Sequence, residues 1–525
     1  MGEDPCLPKP QGVPLEDMPL FEELVNTFKR PKENDVTIRD LAWEYGAKQY
    51  IDTFSKVNED TSTGPSGLSM PHWKAACFDI QLANLYATFI ELPFKHGITL
   101  DRWKHVVHVM IPKKIKPYID KLRNIQLTEA DYNGALKFII GRKLRNYCNV
   151  NGSSSTDTFG GRTKKNCIQM LKTIQITNES NRIQKRPQAH LDIDAVGCFD
   201  NMATNVIGLA IQRLGGSREI AMAQTKALVS QEHRVKTQLG VSNKFFKSNV
   251  NELLGGSGQG SGASMINWHS FNEAIIDAYK NTMYKHKCKH EVGFEVKSYV
   301  DDNKLLFNFE GGASLHEIQG TLRRGISTWS KLLNYTGGEL SLPKCFYSVV
   351  QHKFLTRGTS KIVVENNEQY KLPVNLLGTQ QNIKFVKPSD GIKLLGVHMS
   401  TCGNFNDEFD NRLQQSIEMS AKMQRSNLTR SEAYLIYKIR FIPKIHYPLC
   451  VTISNDEQCE KIHVLLPKMG FNRKMPRKVI FGPRVLGGLE LNHIKYDQLI
   501  KHINLMTTHI YLDDDLGRRY MGLLK

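Results

Sequence analysis

Ser298-Tyr299-Val300-Asp301-Asp302 is the stretch from which the rest of the chain can be read. Before it, Phe294, Val296, Ser298 and Val300 fall on one face of a period-two pattern, and beyond it Leu305, Phe307 and Phe309 alternate again. The pattern predicts a strand, a tight turn and a returning strand. Asp is common at turns, so an ordinary acidic turn is one reading. Two adjacent carboxylates at the tip of an apolar hairpin also repel each other, and a bound divalent cation removes that cost. A third carboxylate and a nucleotide pocket elsewhere in the chain would favour the second reading.

The third carboxylate lies upstream, in His190-Leu191-Asp192-Ile193-Asp194-Ala195-Val196-Gly197-Cys198-Phe199-Asp200. Leu191 and Ile193 alternate with Asp192 and Asp194, so both acids share one strand face. Asp194 stands at the strand terminus, where it can turn toward a metal. Asp192 reads as solvent-exposed near the strand end, and Asp200 as the cap of the next helix. Between the acidic stretches, residues 255–262 read Gly-Gly-Ser-Gly-Gln-Gly-Ser-Gly and lead into an amphipathic helix marked by Met265, Trp268, Ile275 and Tyr279. A flexible linker is one reading of the run. A side-chain-free backbone at a helix N-terminus, able to approach a base pair or phosphate closely, is the other.

Three basic loops precede the acids. They hold Pro112-Lys113-Lys114 after a buried strand at 106–111, Leu122-Arg123-Asn124-Ile125, and Phe159-Gly160-Gly161-Arg162. Such cations are equally consistent with surface charge and with a triphosphate or template strand. Downstream, Leu315, Ile318, Leu322, Trp329 and Leu332 predict a helix over the back of a sheet. Lys344 closes the turn after it, and Leu394-Leu395-Gly396-Val397 is a short strand-like turn. From about residue 404 the pattern is mostly helical, with Phe409, Leu413 and Ile417 on one stripe. Between Lys468 and Arg484, cations (Lys468, Arg473, Lys474, Arg477, Lys478, Arg484) interleave with Phe471 and Phe481. That mixture suits a nucleic-acid backbone and also a plain charged loop.

The chain has 525 residues, too many for one core, and Lys plus Arg exceed Asp plus Glu by 18 (70 against 52). A basic excess of this size favours a polyanionic partner, nucleic acid ahead of an acidic membrane. The ten cysteines contain no C-x-x-C pair, which removes zinc-knuckle and zinc-ribbon readings. No run of eighteen apolar residues exists to span a membrane. Residues 1–14 lack the apolar core of a secretory leader, so an intracellular protein is expected, nuclear or cytoplasmic and not secreted. Lys29-Arg30-Pro31-Lys32 reads more readily as a solvated patch than as an import signal. Five prolines before Glu22 and weak periodicity predict a loose extension up to about residue 45.

The order of these blocks resembles the reverse transcriptases of non-LTR retrotransposons and group II introns, from near residue 64 to about 400 and on through a helical thumb. The matching blocks are Ile111-Pro112-Lys113, Leu122-Arg123-Asn124-Ile125, Phe159-Gly160-Gly161-Arg162, Asp194 to Asp200, Gly256-Ser257-Gly258-Gln259-Gly260, Tyr299-Val300-Asp301-Asp302, Lys344 and Leu395-Gly396-Val397. Asn124 stands where the family more often has Pro, and Gly161 interrupts its aromatic-Gly-Phe-Arg pattern.

The resemblance implies an α+β right-handed polymerase. Residues 1–50 would be a partly disordered extension, 51–185 the fingers, 186–400 a palm with a small antiparallel sheet backed by helices and a primer grip, and 401–525 a helical thumb and basic C-terminal region. Asp194, Asp301 and Asp302 would be the catalytic acids and the ligands of two Mg²⁺ ions, with Mn²⁺ as an alternative. Phe199, five residues after the first acid, would select deoxynucleotides. Lys113 and Arg123 would hold the triphosphate, Gln259 and Gly260 would support the nascent base pair, and Lys344 would act as general acid. Leu395-Gly396-Val397 would grip the primer. The implied partners are an RNA template, a DNA or RNA primer, their RNA–DNA hybrid and dNTPs, with no membrane. The rival expectations are an RNA-dependent RNA polymerase and a domesticated, maturase-like RNA-binding protein that no longer polymerises. No endonuclease pattern precedes the polymerase blocks and no ribonuclease-H-like or zinc-finger region follows them. The expectation is a short-form element protein or a fragment of a longer reading frame.

Overall fold

The strand that carries the first acidic stretch, β1 (Gln188–Ile193), is buried along its whole length. Its partners in the central sheet are β2 (Glu291–Tyr299), β3 (Asp302–Phe309), β4 (Phe346–Val350), β5 (Leu372–Leu376) and β6 (Thr379–Phe385). The computed structural model describes residues 13–524 apart from 31, 34–35, 113–121, 152–153, 239, 249–253, 356–358, 364–369, 377 and 470–473.

The sheet order is β5-β6-β4-β1-β3-β2, with β1 antiparallel to both β3 and β4. One pair, β4 with β6, is parallel. The small antiparallel sheet expected from the sequence is therefore six-stranded and mixed. Alternation sends Ala189, Leu191, Ile193, Leu305 and Phe307 into the main core, under the helices Ser264–Lys285 and Leu315–Tyr335. The opposite face carries His190, Asp192, Lys304 and Leu306, and the helix Cys167–Ile183 packs there, with Leu306 touching the cluster of Met170, Leu171 and Ile174. Because both faces are covered, the polar members of the alternation, His190, Asp192 and Lys304, are buried as deeply as the apolar ones.

A second sheet is built on the strand His105–Pro112. It lies antiparallel to Leu122–Leu127 and parallel to Glu232–Thr237. The last of these comes from inside the range 186–400, so the expected boundary at 185 does not separate the two sheets. Nor are residues 13–30 a loose extension. Phe21, Leu24 and Phe28 are buried at helical spacing on and just after the helix Met18–Thr27, which lies against Ser264–Lys285. Arg213 donates to the Thr27 carbonyl at 2.7 Å, and Arg30 Nε to that of Gln212 at 2.8 Å. Pro19 stands in the first turn of this helix, and the apolar stripe behind it does the docking.

The C-terminal part is helical, as expected, around Phe409, Met423, Tyr437, Phe441 and Ile462. Its final helix, Asp515–Leu524, leaves that unit and returns to Cys167–Ile183. There Arg519 forks onto Glu295 of β2 (2.9 and 3.2 Å) and onto Thr177 (3.0 Å). Among the described residues no helix is long and apolar enough to cross a membrane. The chain is thus α+β, with a helix-backed mixed sheet, a second smaller sheet and a helical C-terminal unit.

Candidate active site

The register of β1 and β3 brings the acids together. Asn303 stands opposite Ile193, so the next pair outward is Asp302 with Asp194, on the face that holds Asp192 and Lys304. Asp301 is at the tip between β2 and β3. The Asp194 main chain is fixed from the other side, since Ser341 N donates to its carbonyl at 2.8 Å. The same turn delivers Lys344, whose Nζ donates to Asp194 Oδ1 at 2.9 Å.

Three carboxylates face one cation here, and the ionisation of the tip reflects it. Burial pushes the Asp302 carboxyl up to about 6, with Asp301, Asp194 and Asp192 adding to the effect. Asp301 is raised as well, first by burial and then by Asp194. Lys344 is held above its usual range chiefly by its bond to Asp194. Among the described residues no three His, Cys, Asp or Glu side chains close into a ready-made metal cage. The donor set nevertheless fits Mg²⁺, an ion that takes one or two carboxylates and leaves its other positions to water and phosphate oxygens.

The hairpin tip is strained and braced. Val300, β-branched, has φ +61°, in the left-handed region that such residues rarely enter. Its carbonyl accepts from Trp268 Nε1 at 2.6 Å. On the other side Gly160 lies so close that a Cβ there would sit 2.5 Å from Val300 N. Ser298 N donates to the Asp157 carbonyl and Phe159 N to that of Ser298, so residues 157–160 extend the edge of β2. This corrects the reading of Phe159-Gly160-Gly161-Arg162 as a loop that offers a cation. Arg162 turns inward, half-buried, and donates to the carbonyl of Ser155 at 2.5 Å.

Asp192 is a second correction. It is buried, not solvated, and Lys304 Nζ, its neighbour across the ladder, reaches both its oxygens at 2.7 and 2.9 Å. Asp200 is a third, for the helix Thr204–Arg213 is capped at Ala203.

The Gly-rich run is no linker. Gly256 N donates to Met202 O and Ser257 N to Phe199 O, which ties the run to the loop after Asp194. Gly256 (φ +96°) must be glycine, because a Cβ would lie 2.6 Å from the Phe199 carbonyl. A few residues on, Gln126 N donates to the Gln259 carbonyl at 2.8 Å, and Asn133 Nδ2 to that of Gly260. The run therefore spans from the acidic loop to the second sheet. Phe199, half-buried, meets the Trp268 ring edge-on at 6.5 Å. Of the helix stripe named from the sequence, Met265 is exposed, whereas Trp268, Ile275 and Tyr279 are buried.

Asp194, Asp301, Asp302 and Lys344 thus share one corner, with Phe199 beside it and Gln259 and Gly260 on the bridge to the second sheet. Arg123 is exposed on Leu122–Leu127, opposite Ile111. Lys113 lies outside the described residues. The Leu395-Gly396 turn is held by Tyr447 and Arg412, which donate to its two carbonyls at 2.6 and 2.8 Å. The basic run near the C-terminus is partly spoken for, with Arg477 paired to Glu460 and Arg484 stacked on Tyr434. The residues that sequence reasoning missed are Trp268 and Gly160 as braces of the tip. Neither left a signal, since a helix-stripe Trp and a loop Gly have commoner uses.

No family model matches the chain, and no curated protein matches it.

Proposed function

We propose that the chain is an RNA-directed DNA polymerase of the reverse transcriptase type. The observation that carries this reading is the β1–β3 register, which sets Asp302 beside Asp194 while the strained turn carries Asp301 to the same corner. In this reading the central sheet with its helices is the palm, the second sheet belongs to the fingers, and the helices from about 406 form the thumb. The Gly-rich bridge then runs along the floor between palm and fingers, where a template–primer duplex would lie.

Asp194, Asp301 and Asp302 would hold two Mg²⁺ ions, which supply neutralisation of the charge that develops on the attacking and leaving oxygens. The chain's own residues do the rest. The primer 3′-hydroxyl attacks the α-phosphate of a dNTP and pyrophosphate leaves. Lys344, once released from Asp194, donates a proton toward that leaving group. Phe199 occupies the sugar side and disfavours a 2′-hydroxyl. Arg123, exposed at the end of its strand, holds the triphosphate, together with Lys113.

Primer extension on an RNA template, with dNTPs and NTPs run in parallel, tests the reading. Deoxynucleotide incorporation by the parent that is lost in Asp301→Asn supports it. Ribonucleotide incorporation instead points to an RNA polymerase, and RNA binding without incorporation to a protein that only escorts RNA. Either result overturns the proposal.

A further inference from the structure

Far from that corner, the helix Ile80–His96 buries Ala83, Ala87, Ile90 and Phe94 against the body and leaves its outer face apolar. Leu82, Leu85, Phe89 and Leu92 are exposed there, and Phe78 stands just ahead of the helix. Within the helix the spacing from Leu82 to Leu92 is 3-4-3, the period of a helix–helix seam. We infer that this face pairs antiparallel with the same face of a second copy of the chain.

The spacing is self-complementary. A two-fold axis near Leu85 sets Leu85 against its own copy and brings Leu82 close to Phe89 on either side of it. Charge points to the same occupant. In a chain of net charge +18, two copies repel wherever cations face each other. This face avoids that repulsion. Asp79 is occupied as the helix cap, accepting from Gln81 N and Leu82 N. Glu91 accepts from Tyr45 N at 3.0 Å and pairs with Lys95 at 3.0 Å in the same copy. The remaining exposed side chains on this helix are Ile80, Gln81, Asn84, Thr88 and, in its last turn, His96. A nucleic acid or an anionic membrane would find no unpaired Lys or Arg here. Size agrees too. Phe78 is 87% exposed, Phe89 57% and Leu85 52%. With their neighbours, a symmetric pair would bury on the order of 1,300 Å², within the range of specific interfaces.

Sedimentation equilibrium on the full chain tests this, with Leu85→Asp as the disrupting variant and Ile500→Asp, on an unrelated exposed helix face, as the control. Phe89→Glu serves if Leu85→Asp lowers the yield of folded protein. The expected result is a micromolar or tighter dimer for the parent and the control, weakened about 100-fold or more by an acid in the seam, with unchanged far-UV circular dichroism. A parent that stays monomeric at tens of micromolar overturns the inference. So does a dimer that survives both seam variants, one that Ile500→Asp abolishes, or recovery of the parent on neutral lipid vesicles in place of self-association.

Discussion

Replacing Asp302 by Asn should make the cation-free protein more stable while abolishing nucleotide transfer. Asp302 is ionised at pH 8 in both folded and unfolded chains, but in the folded one its carboxyl has been moved from 3.8 to about 6. At 1.36 kcal/mol per unit, that shift is a penalty of about 3 kcal/mol at most. Because the side chain is partly exposed and solvent screens its neighbours, roughly 1–2 kcal/mol is the working figure. The sign follows from the direction of the shift. A carboxyl raised on folding opposes folding above its folded value, and the opposition fades as pH falls through 6 toward 4. By pH 5 about half of the penalty should remain. Urea denaturation in EDTA at pH 8 and pH 5, following the same transition in parent and Asp302→Asn, measures it. The variant should lead by 1–2 kcal/mol at pH 8 and by about half that at pH 5. Added Mg²⁺ should stabilise the parent and reverse the order, because binding energy enters only the folded state. A variant less stable than the parent in EDTA at pH 8 would refute the claim that this corner holds excess negative charge.

Trp268→Phe removes the N–H that holds the Val300 carbonyl, together with part of a buried ring packed on Phe271. Single-turnover extension should slow about 10-fold with little change in apparent nucleotide affinity, matching the ~0.5–1.5 kcal/mol of one hydrogen bond. Gly160→Ala drives a methyl into Val300 N. It should cost about 1–3 kcal/mol in urea denaturation and reduce extension as well. Asp192→Ala leaves Lys304 buried and unpaired, so a loss of about 3–5 kcal/mol is expected by the same method. Asp194→Asn, by contrast, should abolish extension with no such loss. Arg519→Ala frees the last helix from Glu295 and Thr177, and limited proteolysis should then remove that helix first.

Both central strands were legible because period-two alternation survives in β1 and in the β2–β3 hairpin. Asp194 could be preferred to Asp192 only through the family's spacing to an aromatic at 199. Alternation by itself puts both acids on one face and stays silent about depth. What distinguishes them is Lys304, 112 residues away in the chain, which the antiparallel register sets across from Asp192. The N-terminal helix was hidden for a related reason. Its prolines dominate a composition reading, while the three residues that dock it, Phe21, Leu24 and Phe28, are too few to register as a pattern. The bracing of Val300 by Trp268 and Gly160 was beyond reach, because a left-handed φ at a β-branched residue is a property of surrounding structure and not of local preference.

One face of the central sheet carries two groups of charges, and the contrast between them argues for function. In the interior, each acid has a cation. Asp192 faces Lys304, Asp157 is met by Lys297 and Lys280, and Glu295 by Lys297 and Arg519. Such burial is tolerated only because the pairs are complete. At the strand ends the same residue type is left three to one against Lys344, on a turn that is itself strained. Folding alone would remove that imbalance, as it has a few ångströms deeper in the sheet. In the proposed reading, its persistence where three chain segments meet at the surface leaves room for positive charge that would arrive from solution. A polymerase whose metals come and go with nucleotide would require that arrangement.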